Sequence, residues 1–373
     1  RMGMVVEDKD ISYINKIADR ERAPFYVVGE TTGDDRFVFE QADGVRPIDL
    51  GMKDMFGSSP KTVMNDTTTE HKYKALKYDA DKIDSYLENV LQLEGVACKD
   101  WLTNKVDRSV TGKVARQQCQ GEIQLPLSDC GVVALDYTGT SGIATSIGHA
   151  PQAGLIDSAD GSVLSITEAL TNIVGANLAN GLKTVSLSAN WMWPCRNQGE
   201  DARLYRAVQA CSDFACALGI NIPTGKDSLS MTQTYGKDKV IAPGTVIISA
   251  AGEVKDIKKT VSPVLQDKKS TIYYIDFSGT DLKLGGSAFA QSLGFVGDAA
   301  PKIKSPEYFA AAFNAVQKLV ATNQLAAIHD VSAGGLITTL LEMTFANTKG
   351  GLSINLDGFN DNDLAKVLFA ENP

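Results

Sequence analysis

From about residue 114 onward, short runs of aliphatic and β-branched residues alternate with longer stretches whose apolar positions fall three and four apart. Such alternation commits a chain to sheets covered by helices. The strand-like runs are Val132-Val133-Ala134-Leu135, Thr184-Val185-Ser186-Leu187-Ser188 and Thr245-Val246-Ile247-Ile248-Ser249. Between them the spacing predicts helices over 162–179 and 203–218. In the second, Leu204, Ala207, Val208, Cys211, Phe214, Ala215 and Leu218 form one stripe, and Gly219 supplies a stop. After a polar, proline-containing stretch at 260–269 the alternation resumes. A strand at 272–275, a Gly285-Gly286 turn and a helix capped by Ser305 with Pro306 in its first turn come first. A strand at 325–328 then leads into Gly334-Gly335 and a helix to Phe345.

The first hundred residues are less regular. Ile11, Ile14, Ile17 and Ala18 predict a helix over 10–19, and 25–28 and 37–39 read as strands joined by a Gly-Asp turn. A helix and two strands bury too little to stand alone. Residues 1–52 therefore read as the tail of a domain that starts upstream. Residues 53–113 read as a polar connector with one helix around Ile83, Tyr86, Leu87, Val90 and Leu91. Residues 114–259 and 260–373 then form two further domains, the last incomplete. A length of 373 residues fits two or three domains. The 43% hydrophobic content fills cores, while 22% charged and 7% aromatic residues argue against disorder and coiled coil. The expected fold class is α/β (α+β), with mixed sheets and packed helices, truncated at both ends.

A net charge of −9 without a basic face disfavours nucleic acid and anionic membrane as partners, so small anions need a local patch or a metal. Six cysteines form no C-x-x-C pair and only three histidines accompany them, which makes structural zinc improbable. No apolar run reaches the roughly 18 residues of a membrane span. The lack of a leader makes a cytoplasmic protein with reduced thiols the simplest expectation. Pro223-Thr224-Gly225-Lys226-Asp227-Ser228 resembles a phosphate loop but fails its spacing: Gly219 lies one residue too far from Gly225, and Asp227 stands where Ser or Thr should follow Lys226. Lys226 and Ser228 either touch an anion or belong to a turn closed by a salt bridge. His149 and His329 read as packed or capping residues. Trp191 and Trp193, beside Arg196, read as cover for a core edge.

Three segments carry the candidate chemistry. Asp129 ends an extended stretch and precedes a strand; Asp330 stands at the end of another strand, before a glycine turn that opens a helix. On the helix between them, Glu168 and Asn172 share a side with Ser165, Ala169, Gly175, Ala176 and Ala179, small residues that let a backbone or a ligand approach. Carboxylate and amide oxygens at the edges of ordered elements are the hard donors that Mg²⁺ takes when it accompanies nucleotide phosphates. The helix start after Gly334 offers amides to phosphate, and Ser332 a hydroxyl. Taken singly, each has a plain alternative: a solvated helix face, a capped turn, or an aspartate bonded to its own backbone.

Several stretches together resemble a known family. They are Glu21-Arg22-Ala23-Pro24, Val110-Thr111-Gly112-Lys113-Val114-Ala115-Arg116, Glu168-Ala169-Leu170-Thr171-Asn172, Ser188-Ala189-Asn190-Trp191-Met192, Gly199-Glu200-Asp201-Ala202 and Ile222-Pro223-Thr224-Gly225-Lys226-Asp227-Ser228-Leu229-Ser230-Met231. The chain is similar along its whole length to the large, single-chain phosphoribosylformylglycinamidine synthases of purine biosynthesis. The resemblance implies an ATP-dependent amidoligase that converts formylglycinamide ribonucleotide to the amidine, with ammonia supplied from glutamine. It also implies a duplicated pair of aminoimidazole-ribonucleotide-synthetase-like A and B domains, with one catalytic and one auxiliary Mg-nucleotide site. On this likeness 1–52 corresponds to the first B domain's tail, 114–259 to the second A domain and 260–373 to the second B domain. Asp129, Glu168, Asn172 and Asp330 then correspond to magnesium ligands, and Ser128 and Ser332 to contacts of ATP or ADP. The first synthetase half and the glutaminase would lie outside the chain, whose cysteines match no nucleophile, and pairing of two copies through the A-domain sheet is expected. Two other readings stay open: another ATP-using enzyme of the same fold, and a non-catalytic scaffold whose nucleotide only stabilises it.

Overall fold

The computed structural model describes residues 3–58, 61, 63–69, 71–103, 106, 108–359 and 361–373. It divides into two compact units, Arg1–Met64 and Asn65–Pro373. In the first, α1 (Asp8–Arg20) buries Ala18, one position of its predicted apolar stripe. Strands β1 (Arg36–Phe39) and β2 (Ile48–Gly51) pair antiparallel, an Arg36–Asp49 ion pair crossing between them, and α2 (Met52–Phe56) follows. The strand expected at 25–28 does not form. Tyr26, Val27 and Val28 are exposed, and a strand without a neighbour has nothing to receive its hydrogen bonds.

The second unit begins with α3 (Ile83–Leu91) and α4 (Asp100–Thr103). Its frame is a six-stranded sheet made of β3 (Val114–Arg116), β4 (Gly131–Ala134), β5 (Gly142–Gly148), β6 (Val185–Met192), β7 (Asn221–Ser228) and β10 (Thr245–Val254). The order is β3-β4-β5-β10-β6-β7, antiparallel throughout except for the parallel β6–β7 pair at the edge. A hairpin of β8 (Thr232–Tyr235) and β9 (Asp238–Ile241) stands apart from it. Helices α5 (Pro151–Ile156), α6 (Ser158–Ile173) and α7 (Glu200–Leu218) precede and follow β6. The chain closes with α8 (Ala288–Ser292), α9 (Pro306–Ala321), α10 (Gly335–Phe345) and α11 (Leu364–Phe369).

Alternate residues of β5 are buried and exposed, so one sheet face meets α6 and the other does not. Ile166, Ala169, Leu170 and Ile173 of α6 share a core with Leu187, Ile248, Ala250 and Phe214. The small residues near Glu168 admit the backbone of β5. A Cβ on Gly148 would run into backbone atoms of Ser165 and Ala169, and the Ser146 hydroxyl donates to the Ala169 carbonyl at 2.6 Å. A second core gathers Tyr86 and Val90 of α3 with Phe289 and Phe369, the ring of Phe289 lying edge-on to Tyr78 and Tyr86 and stacked on Phe369. Trp193 is fully buried and Trp191 packs on the first core, in keeping with their expected place at a core edge.

Other expectations need correction. Residues 272–275 and 325–328 join no ladder among the described residues; Ile328 has one backbone bond, to Ser262, and a β-branched run becomes a strand only beside a partner. The loop-like 223–228 lies within β7, where Gly225 presses on the backbone of Ala189 and Lys226 Nζ reaches Ser228 Oγ at 2.6 Å, so no salt-bridged turn exists there. Strand β5 escaped the sequence reading because glycine, serine and threonine dilute its alternation. No helix among the described residues is long and apolar enough to cross a membrane, and none of the six cysteines forms a disulfide.

Candidate functional site

Ser128, Asp129, Asn172, His329, Asp330 and Ser332 line one cleft of about 840 Å³. It opens over the sheet face away from α6, with Thr145, Ile147, Ser188 and Ser249 on its floor. Asp129 arrives just ahead of β4, Asn172 from the last turn of α6, and Asp330 and Ser332 from the turn that opens α10. Glu168 is not among the lining residues. It lies one helical turn before Asn172, whose Nδ2 donates to Glu168 Oε1 at 3.4 Å and to the Ile147 carbonyl at 3.0 Å.

At the centre stands His329. Its Nδ1 lies 2.8 Å from Asp129 Oδ1 and 3.3 Å from Asp330 Oδ1, and Nε2 lies 3.1 Å from Glu342 Oε2. The reading of His329 as an ordinary packed or capping residue is thereby corrected: it is buried, but among three carboxylates. Its only sequence signal was its position beside Asp330, since a single histidine has no spacing to test. Asp129, His329 and Asp330 each offer one ligand atom, all within 4.8 Å of one another.

The electrostatics follow from this crowding. Burial is the main cause that lifts Asp129 to about 6; the charge and hydrogen bond of His329 pull it down, and the charges of Asp330 and Glu342 push it up. Burial opposes a charged His329, yet the charge and bond of Asp129, with further bonds to Asp330 and Glu342, hold the imidazole well above its ordinary value. Glu168 is also raised well above its usual range, by burial first and then by the charges of Asp330 and Glu371, while its bond from Asn172 acts the other way. Asp330 Oδ2 and Ser128 Oγ are buried with no hydrogen-bond partner among the described residues. Buried acceptors left in that state are costly, and a divalent cation on the Asp330 oxygen offsets both the lost bond and the repulsion among the acids. Two carboxylates, an amide oxygen and a hydroxyl fit a hard cation of the Mg²⁺ type, with the His329 imidazole between the two aspartates at one oxygen of each.

The helix start offers less to phosphate than its glycines implied. The Gly334 amide donates to Glu371 Oε1 at 2.8 Å and the Gly335 amide to the Ser332 carbonyl at 3.0 Å. Both glycines have positive φ, and a Cβ on Gly335 would strike the backbone of Phe369. Glu371 also accepts from the Ala288 amide at 2.8 Å, so one carboxylate ties the starts of α8 and α10 together. It was not singled out from the sequence, where a lone glutamate after α11 carries no pattern.

Residues 98–253 match the family model for the FGAR-AT PurM_N-like domain, and residues 275–373 match that for the AIR synthase related protein, C-terminal domain. Two successive parts of the chain thus match domain models of the AIR synthase-related kind, neither of them spanning half of it. Its mixed α/β architecture is that of AIR synthase-like amino- and carboxy-terminal domains, as the resemblance implied. Among solved structures, the chain is similar to T. maritima PurL complexed with ATP, with 14% identity and a TM-score of 0.47 over 69% of this chain and 38% of that one. For PurLQS from Thermotoga maritima the values are 14% and 0.49, over 72% and 41%. For the HypE-HypF complex they are 16% and 0.34, over 58% and 63%. The chain thus spans 38% of the first of these.

Proposed function

We propose that this chain is the Mg-nucleotide-binding portion of an ATP-dependent amidoligase of the phosphoribosylformylglycinamidine synthase type. Asp129, Asn172 and Asp330, which line the cleft, hold the cation in this reading, with Glu168 joining them from one helical turn before Asn172 by a change of rotamer, and Ser128 and Ser332 contact the nucleotide. One observation carries it: residues from three distant segments line a single cleft in which Asp330 Oδ2 and Ser128 Oγ are buried without partners among the described residues. The carboxylates attract the cation without which polyphosphate would be repelled, and Thr145, Ser188 and Ser249 on the floor leave room for a ligand. When bound, Mg²⁺ neutralises phosphate charge and orients the phosphoryl group. The work of this chain is to hold that pair in place. His329 keeps Asp129 and Asp330 together, and Asn172, bonded to the Ile147 carbonyl, fixes the side of the cleft nearest α6.

In the complete enzyme, ATP would phosphorylate the amide oxygen of formylglycinamide ribonucleotide and ammonia would displace phosphate. That reaction needs the first synthetase half and a glutaminase in addition to this chain. The site here is read as the auxiliary one, which stabilises the fold. Calorimetry of the chain with Mg-ADP tests the assignment. Binding is expected, and Asp330→Asn is expected to weaken it beyond the roughly 10- to 100-fold typical of losing an outer partner of a metal ligand. Unchanged affinity in that variant removes the site.

A further inference from the structure

Beside the cleft lies a second pocket of about 410 Å³, lined by Arg108, Arg116, Gln117, Gln120 and Gln124 together with small residues. No acidic side chain among the described residues lines it, although the protein carries a net charge of −9. Both guanidinium groups bond only to neutral oxygens among the described residues. Arg108 Nε donates to Gln117 Oε1 at 3.0 Å and its Nη2 to Gln124 Oε1 at 2.6 Å. Arg116 donates through Nη1 to Gln120 Oε1 and through Nη2 to the Thr260 carbonyl at 2.9 Å, and its Nε is buried without a partner. Neither arginine has a carboxylate within ion-pair distance among the described residues. The acid whose charge Arg116 feels, Asp129, is engaged by His329.

Neither arginine is ion-paired among the described residues, and a guanidinium buried as Arg116's is, with Nε unpartnered, is costly unless an anion joins it. Glutamine oxygens hold each fork in place while adding no negative charge that would compete. The geometry points to a phosphate-binding pocket between Arg108 and Arg116, taking inorganic phosphate or the phosphate end of a phosphomonoester. Phosphate fits better than a carboxylate, because a tetrahedral dianion presents enough oxygens to face two planar forks at once. Arg108, Arg116 and Gln117 also line the cleft, so the two adjoin; none of Asp129, Asn172 or Asp330 lines this pocket, and its ligand differs from that of the cleft in needing no metal.

Calorimetric titration of the full chain in the presence of EDTA tests this with three probes: inorganic phosphate, ribose 5-phosphate and acetate. Both phosphates are expected to bind and acetate is not. Arg108→Gln and Arg116→Gln are each expected to weaken phosphate at least about tenfold, with Arg116→Lys restoring part of the loss. Asp330→Asn, which tests the metal site, should not weaken phosphate binding. Failure of both phosphates to bind the unaltered chain overturns the proposal and leaves the arginines as structural cross-links. Equal binding of acetate, or undiminished phosphate binding in Arg108→Gln, overturns it as well, even should Arg116→Gln fail to fold.

Discussion

Two buried acidic centres in the second unit are held in opposite ways. Around His329, carboxylates from three segments share one imidazole, and an oxygen of Asp330 is left bare. At Glu371 a single carboxylate is satisfied by two backbone amides. Backbone amides cannot leave, so the Glu371 arrangement is fixed by the fold itself. The His329 arrangement depends on side chains and retains an unfilled acceptor, which is what a site prepared for an exchangeable ligand requires. The contrast separates a part that builds the molecule from a part that is available to bind.

The largest expected effect attacks the side-chain centre. His329→Ala removes the group that three carboxylates face and is expected to cost about 4 kcal/mol, read from denaturant unfolding, because breaking a buried ion pair leaves uncompensated charge. Added Mg²⁺ should recover more of that loss in the variant than it adds to the parent. An equal gain in both would erase the distinction between the two centres. Next comes the pH response of Glu371, whose carboxyl is pushed up to about 7 by burial, against the pull of its two backbone bonds. The folded state then holds a proton that the unfolded state releases near 4.5, so this contribution is present below that pH and is lost as the pH rises through 7. The loss is at most about 3 kcal/mol. Glu371→Gln keeps an oxygen for both amides and should flatten that part of the stability profile; an unaltered profile means that Glu371 is ionised in the fold. The smallest effect is at Asn172, where alanine removes bonds to Ile147 and Glu168 and is expected to cost about 1 kcal/mol of stability in thermal unfolding.

Much of the sheet was legible in the sequence because burial imposes a period. The runs at 132–135, 184–188 and 245–249 each overlap a strand, and the helices near them differ from expectation mainly at their ends. Caps were legible too: Ser305 accepts from the Tyr308 amide and Pro306 occupies the first turn. What failed depended on partners far away in the chain. Residues 272–275 have strand-like composition but no neighbour, and β7 looks like a loop because Gly225 is needed for contact with Ala189, not for a turn. In the cleft, Asp129, Asn172 and Asp330 were named through the family resemblance, since an aspartate or asparagine at the edge of an element is ordinarily a cap or turn residue, and the structure brings the three to one cleft. His329, Glu342 and Glu371 were missed because their roles come from contacts that no local pattern records.

Strand β10 is the last of the six to be synthesised, yet it lies between β5 and β6, joined to both along most of its length. Until residues 245–254 leave the ribosome, the early strands and the later pair are separate ribbons, each with an unmatched edge that invites pairing with another chain. A nascent polypeptide of this kind is most exposed to misassociation just before β10 appears, and a pause in translation does most harm there.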